Sequence, residues 1–135
     1  DLPQSVLRMA GADPWPEMQG SDLGELVCGE ADSWPEEAFF QISESCTGRG
    51  IRTRRWKYAV TAPPESVTGG SSDTYIESFL YDLEADPHER NNLVSDPEYK
   101  ELRTELAERL IRRMAAAGEN IPVIQPKSSQ DLAKA

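Results

Sequence analysis

Residues 79–110 read FLYDLEADPHERNNLVSDPEYKELRTELAERL, and they predict a strand, a turn and a helix in direct succession. Residues 79–83 are aromatic and apolar, which is typical of a strand. Asp86-Pro87 predicts a short helical turn, because Asp accepts hydrogen bonds from free N–H groups and Pro is tolerated at the first helical position. Asp96-Pro97-Glu98 repeats this pattern and predicts the start of a longer helix.

This longer helix is predicted over residues 96–118. Apolar side chains recur in it every three or four positions, so one face should be buried. Gly118 is expected to end the helix, because glycine adopts the left-handed conformation found just after many helices. The apolar stripe consists of Tyr99, Leu102, Leu106, Leu110 and Met114.

Strands are predicted upstream of this helix, over residues 38–44, 51–62 and 75–83. Residues 38–44 alternate, so that Ala38, Phe40 and Ile42 share one face. A turn is predicted at residues 47–50. The fold class is therefore α+β, with a small antiparallel β-sheet of three to four strands packed against a C-terminal amphipathic helix. A short helix over residues 2–10 precedes the sheet, and residues 121–135 are expected to form a tail.

Charge is distributed unevenly along the chain. The formal net charge is −10, which disfavours binding to nucleic acid because phosphate would be repelled. No stretch approaches the apolar length of a membrane span. Residues 46–64 nevertheless contain only basic charges, and this basic segment is either a solvated strand face or an edge that meets an anion. Its members are Arg49, Arg52, Arg54, Arg55 and Lys57.

The segment Leu80–Leu93, LYDLEADPHERNNL, resembles the C-terminal signature of the sulfatase family, LYDL-x-x-DP-x-E-x-x-NL. Residues 1–23 resemble a second family segment through Asp1-Leu2-Pro3, Ala10-Gly11 and Met18-Gln19-Gly20, although Gln4 and Asp22 depart from the usual Thr and Ser. Residues 49–58 also resemble the family's hairpin before the LYDL strand. The resemblance implies that residues 1–27 end the large sulfatase domain, 28–120 form the C-terminal subdomain and 121–135 a tail.

Sulfatases of this family hydrolyse sulfate esters with a formylglycine, made from Cys or Ser in a C/S-x-P-S-R motif, beside a divalent metal that is usually calcium. Cys28 and Cys46 do not fit this motif, and His88 is expected at the surface. The resemblance therefore implies no catalytic or metal-binding residue in this segment. It implies an N-terminal catalytic domain as partner, with which the segment completes the substrate cleft, and a sulfate ester as substrate. The isolated chain is expected to be inactive.

Arg49 and Arg52 are the candidate substrate-binding residues, because a guanidinium suits sulfate and carboxylate oxygens. The alternative is that both arginines pair with carboxylates of the large domain.

Two other functions stay open on the residues alone. Cys46-x5-Arg52-Thr53 matches the phosphate loop of cysteine phosphatases, in which a thiolate attacks phosphorus. That loop should open a helix, whereas the residues after it here are typical of a strand. The chain could also be a free-standing interaction module, with a sheet edge for strand addition and an acidic first third for a basic partner.

Overall fold

The structure is a computed structural model that describes residues 1–30 and 34–127. The chain divides into two compact units, residues 1–35 and 36–135. The first unit contains helices α1 (Leu2–Met9) and α2 (Leu23–Cys28), so the helix predicted over residues 2–10 is confirmed. Ser5 Oγ accepts a hydrogen bond from the Leu23 amide at 2.8 Å, which ties the two helices together. Such short helices depend on contacts of this kind.

The second unit is a five-stranded sheet in the order β1-β2-β3-β4-β5, with one long helix, α3. The α+β fold class is confirmed, whereas the expected number of three to four strands is too low. The elements are β1 (Ala38–Ser43), β2 (Thr47–Arg52), β3 (Trp56–Thr61), β4 (Thr74–Asp82), α3 (Lys100–Ala116) and β5 (Val123–Gln125).

The fifth strand lies where a tail was predicted. β5 pairs with β4 in parallel, with Thr74 opposite Val123 and Ile76 opposite Gln125, so the sheet is mixed rather than wholly antiparallel. A three-residue strand has too little sequence for a periodic pattern, and its partner lies far away in the chain. The edge position of β5 also tolerates Pro122 and Pro126 on either side.

The turn predicted at residues 47–50 is wrong, because these residues belong to β2. Glycines at positions 48 and 50 suggested a turn, but here they provide room for neighbouring side chains. A Cβ at Gly50 would lie 2.3 Å from the ring of Phe40. The strand predicted over residues 51–62 is interrupted after Arg52, where the Thr53 amide donates to the Trp56 carbonyl at 2.8 Å and closes a tight turn.

Helix α3 packs on one face of the sheet and contributes Leu106, Leu110 and Met114 to the core. Asp96 accepts a hydrogen bond from the Glu98 amide, and a turn of 3-10 helix (Pro97–Tyr99) leads into α3, which confirms the predicted Asp96-Pro97 start. Gly118 follows α3 at φ +85°. The buried core comprises Ile51, Tyr58, Val60, Ala62, Tyr75, Leu80, Val94, Leu106, Leu110 and Met114.

Candidate functional site

The signature segment Leu80–Leu93 fastens strand β4 to the loop that follows it. Asn92 is the central residue: its Oδ1 accepts from the amides of Leu80 and Val94, at 3.0 and 3.1 Å, and its Nδ2 donates to the Ser78 carbonyl at 2.9 Å. Leu80 itself is fully buried. One amide side chain therefore replaces the sheet partner that this stretch of β4 would otherwise lack.

Asp82, also in the signature segment, holds the chain as it leaves β4. Its carboxylate accepts bonds from the amides of Glu84 and Ala85 and pairs with Arg55, whose Nη2 lies 2.8 Å from Asp82 Oδ2. The Arg55 guanidinium in turn stacks over the Trp56 ring at 4.8 Å. The hydrogen bond from Arg55, helped by the two amides, lowers the pKa of Asp82 below its usual value, although partial burial opposes this.

The segment predicted as a short helical turn at Asp86-Pro87 forms a single turn, in which the Glu89 amide donates to the Asp86 carbonyl at 3.1 Å, and it does not continue as a helix. Asp86 Oδ2 accepts from the amide of Asn91, five residues on, rather than from the next turn of a helix. Glu89 has φ +54°, a left-handed conformation that cannot continue a helix and that is costly for a residue with a side chain. Its carboxylate is held in an ion pair with Lys57 on β3.

The sheet has a second face, turned away from α3, which we call the open face. Its side chains are Phe40, Ile42, Ala59, Phe79 and Tyr81, and they line a groove of about 300 Å³. The rings of Phe79 and Tyr81 stack with their centroids 6.1 Å apart. Phe40 is 37% exposed, and Ile42 and Phe79 are each 44% exposed. The open face is thus an apolar surface that no described residue of the second unit covers.

Charge on this face is nearly balanced. Lys57 and Glu89 also line the groove and pair with each other, and the Lys57 ammonium lies 5.9 Å from the centre of the Tyr81 ring. Burial, followed by the charges of Glu89 and Asp86, raises the pKa of the Tyr81 hydroxyl, so it stays neutral over the physiological range.

Arg49 lies in the interior of the protein. It is 4% exposed, and its Nε is 2.8 Å from Glu119 Oε1. The same guanidinium donates to the carbonyls of Ile42, Gly48 and Gly70 at 2.8 to 3.0 Å. These bonds hold together β1, β2, the β3–β4 connection and the segment that follows α3. Such contacts are what a buried cation requires, so they give Arg49 a structural role.

Arg52, at the end of β2, is exposed and sits opposite Lys57 in the sheet register. Alternation along β2 puts it on the same face as Gly48 and Gly50, and therefore at the rim of the open face. Within the described residues no carboxylate pairs with Arg52. The two arginines singled out in the sequence thus have different surroundings, and substrate binding by either one stays a prediction.

The phosphatase alternative is wrong for a structural reason. Cys46 and Arg52 flank the ends of β2, which is hydrogen-bonded to β1 on one side and to β3 on the other. The amides of this strand are used in the sheet and cannot form a loop around phosphate, and no helix follows. The comparisons described below likewise give no support to a free-standing interaction module.

Metal ligands do not gather in the described part of the chain. Among residues 1–30 and 34–127, no three side chains of His, Cys, Asp or Glu are close enough to hold an ion. Both cysteines, Cys28 and Cys46, are free and exposed. None of the helices in the same ranges has the length and hydrophobicity of a transmembrane segment.

A sheet with one helix-covered face, fastened by this signature segment, defines the C-terminal subdomain of a sulfatase. The family model described as "N-sulphoglucosamine sulphohydrolase, C-terminal" matches residues 1–116. The chain belongs to this family, so the predicted resemblance to sulfatases is confirmed.

Curated and solved relatives agree with this assignment. An ulvan-active sulfatase of Formosa agariphila is 31% identical over 112 residues, which are 65% of this chain and 22% of that protein. A solved 2-O GAG sulfatase superposes with a TM-score of 0.67 at 26% identity, covering 87% of this chain and 24% of the other. The phosphonate monoester hydrolase of Agrobacterium radiobacter shares the fold, with a TM-score of 0.60 at 24% identity over 84% of this chain and 24% of its own.

The chain spans about a quarter of the length of these proteins.

Two ion pairs of the site are not predicted by the sequence patterns. The Lys57–Glu89 pair joins residues 32 positions apart, and the Arg49–Glu119 pair joins residues 70 positions apart. The basic segment and the signature glutamate were visible, but no local pattern indicates which charges meet across a sheet.

Proposed function

We propose that this chain is the C-terminal part of a sulfatase that hydrolyses sulfate esters of an anionic polysaccharide. The family match over residues 1–116 carries this proposal. The substrate class rests on two relatives whose names refer to ulvan and to GAG, both sulfated polysaccharides. Residues 1–27 would then end the large catalytic domain, and residues 28–120 would form the subdomain that borders its substrate cleft.

The reaction itself would use residues outside this chain. The described residues provide no cluster that fits a metal ion, and neither cysteine lies in a formylglycine motif. A formylglycine nucleophile and a calcium ion would therefore be held by the N-terminal catalytic domain. This chain would contribute one side of the substrate cleft. That side would be rigid, because Asn92 and Asp82 fix the strand and the loop that carry Tyr81 and Glu89.

Arg52 is the residue of this chain that we propose to meet the substrate. Its guanidinium is exposed, whereas that of Arg49 would have to leave Glu119 and three carbonyls before it could bind a sulfate. An exposed guanidinium at the rim of an otherwise apolar face can donate two parallel hydrogen bonds to a sulfate or a uronate carboxylate.

The test uses the natural gene product that contains this chain, purified in full. We expect it to release sulfate from oligosaccharides of ulvan or a glycosaminoglycan. Arg52→Gln should raise KM several-fold while kcat stays close to the wild-type value, because a binding contact remote from the reacting bond is lost. Arg54→Gln is the matched control, because Arg54 is an exposed arginine in the turn that follows β2, and it should leave both constants unchanged.

Three results would count against the proposal. Sulfate release by the isolated 135-residue chain would show that the catalytic residues lie within it. Hydrolysis of a phosphonate monoester by the full protein, without sulfate release, would favour the reaction named for the Agrobacterium neighbour. Equal KM values for wild type and Arg52→Gln would remove Arg52 from the substrate site and leave the rest of the proposal in place.

A further inference from the structure

Two cations lie side by side in one row of the sheet, at the rim of the open face. In the strand register Ala38 is opposite Arg52, Arg52 is opposite Lys57, and Lys57 is opposite Tyr81; we call these four residues the cation row. Residues directly opposite each other on neighbouring strands point to the same face, with their Cβ atoms about 5 Å apart. Because like charges in such positions repel, the row requires a carboxylate.

Glu89 supplies a carboxylate to only one of the two cations. It forms an ion pair with Lys57, whose ammonium also lies 5.9 Å from the centre of the Tyr81 ring. Both contacts draw the ammonium towards β4 and therefore away from Arg52 on β2. Within the described residues Arg52 has no carboxylate partner, so the cation row presents one unpaired positive charge rather than two.

The backbone of Glu89 indicates that this particular side chain is needed. Its φ of +54° is costly for a residue with a side chain, whereas glycine would adopt it freely. The side chains of Lys57 and Glu89 are 28% and 26% exposed, and an ion pair so close to the surface adds little to stability. Strained residues of this kind cluster at functional sites, so the strain favours a functional role for the carboxylate.

We propose that Glu89 is a specificity-determining residue, which neutralises Lys57 so that the cation row offers only Arg52 to an anionic sugar. This proposal rests on the proposed function. The row would then accept one sulfate or carboxylate group, and a second anionic group close by would be repelled by the Glu89 carboxylate rather than attracted by Lys57. Glu89 takes no part in bond cleavage, since it acts through Lys57 and through its own charge.

Binding of defined oligosaccharides to the intact gene product tests the proposal. Isothermal titration calorimetry compares two glycosaminoglycan tetrasaccharides, one with a single sulfate and one with two sulfates on each disaccharide. In Glu89→Gln, the ratio of the Kd for the singly sulfated to that for the doubly sulfated tetrasaccharide should rise about threefold or more over the wild-type ratio. The rise should shrink between about 0.05 M and about 0.5 M salt, because salt screens charge interactions.

Three further variants separate the charge of Glu89 from other effects. Glu84→Gln removes the same charge from an exposed position after β4 and should leave the Kd ratio unchanged. Lys57→Met combined with Glu89→Gln should lose most of the rise, because no second cation is released. Lys57→Met alone leaves the Glu89 carboxylate unpaired near Arg52, so both tetrasaccharides should bind about threefold more weakly. This last variant tests the proposal even if Glu89→Gln does not fold.

The outcomes distinguish this proposal from the proposed function. A wild-type Kd ratio in folded Glu89→Gln, or an equal rise in Glu84→Gln, would overturn the role of Glu89 even if the protein releases sulfate. Unchanged or tighter binding by Lys57→Met would do the same, as would a wild-type protein that binds neither tetrasaccharide. The expected rise in a protein that releases no sulfate would support the role of Glu89 and count against the sulfatase activity.

Discussion

A buried guanidinium is stable only when most of its hydrogen bonds are made, and Arg49 meets this requirement. Glu119 supplies the counter-charge, and backbone carbonyls of three separate segments accept the remaining bonds. The Tyr75 ring lies 6.0 Å from the guanidinium carbon. Arg49 therefore acts as a cross-link between β1, β2 and the segment that follows α3.

Arg49→Leu should be strongly destabilising, because it leaves the Glu119 carboxylate without its counter-charge and removes one donor from each of three carbonyls. Removing one partner of a buried pair costs about 3 kcal/mol of unfolding free energy or more. Urea unfolding of the 135-residue chain would measure the loss. Arg54→Leu, at an exposed position nearby, should change the unfolding free energy by less than about 0.5 kcal/mol. Similar effects of both substitutions would contradict the structural role of Arg49.

Asp82 makes the stability of the chain depend on pH, and the direction of this dependence follows from the lowered pKa of its carboxyl. The carboxylate is stabilised in its charged form by Arg55, so its contribution to stability is complete above the unfolded pKa of about 3.9 and is lost as the pH falls through the lower folded value. Asp82→Asn should therefore be less stable than wild type at pH 7, and the difference should narrow below about pH 4.

Thermal unfolding of both proteins at a series of pH values would check this prediction. Glu84→Gln is a useful control, because Glu84 is exposed and lies 3.8 Å from Arg55. The stability of the Glu84→Gln variant should equal that of the wild type at every pH value tested. A difference between wild type and Asp82→Asn that stays constant down to pH 2 would show that the carboxylate charge plays no part.

At the scale of elements, packing of the sheet requires glycine at two positions of β2, although glycine in a sequence usually indicates a turn. Gly50 leaves space that the Phe40 ring occupies, and Gly48 does the same for Ile42. Glycine weakens an isolated strand, so its presence in the middle of a sheet points to a packing requirement. Here the requirement is the close approach of two β1 side chains across the open face.

Gly50→Ala should lower the unfolding free energy by about 1–3 kcal/mol, since the new methyl group would overlap the Phe40 ring and force it to move. The cost should largely disappear when the same substitution is made in a Phe40→Ala background, because the overlapping ring is absent. A double-mutant cycle on the 135-residue chain, measured by urea unfolding, would give the coupling. Additive effects of the two substitutions would contradict this packing.

Much of the architecture was predictable from local patterns, and the exceptions share a cause. The apolar stripe from Leu102 to Met114 and the Asp96 cap define α3 within a few residues, because both signals are local. The alternation in residues 38–44 likewise predicts β1. The pattern predicts a turn at residues 47–50 of β2 because the two glycines there make room for side chains of β1. It does not indicate β5, because three residues gain strand structure only through a distant partner.

In the candidate site, too, features set by neighbouring residues could be predicted from the sequence, whereas contacts between distant residues could not. The signature segment is recognisable from sequence, and its Asp, Glu and Asn residues have structural roles that explain why those residue types are needed. Whether Arg49 or Arg52 is exposed could not be read from the basic segment, since Glu119 is 70 residues from its partner. Long-range ion pairs depend on the completed sheet.

At the scale of the whole molecule, each of the two units exposes a group of apolar side chains. In the first unit, Leu2, Val6 and Met9 form one side of α1 and are 61% to 79% exposed. In the second unit, the open face is uncovered. A chain that normally continues into a larger protein would have these surfaces buried, which agrees with its family and with the greater length of its relatives.

The isolated 135-residue chain should therefore self-associate, and added salt should strengthen the association. Apolar surfaces favour contact between copies, while the net charge of −10 opposes it at low ionic strength. Raising the salt concentration from about 0.02 M to about 0.5 M shortens the range of this repulsion to a few ångströms, so the apolar attraction should dominate. Sedimentation velocity would show a larger oligomeric fraction at high salt.

Substitutions on the exposed surfaces identify which contacts are responsible. Phe79→Asp and Val6→Asp, each made singly, should raise the monomer fraction at high salt, because each places a charge on one of the two apolar surfaces. Glu108→Gln removes a charge from the outer side of α3 and should not lower the oligomeric fraction. Association that weakens as salt is added would instead indicate ion pairs between copies. In that case the apolar surfaces would not be what drives the chain to associate, and their need for a covering catalytic portion would lose its support.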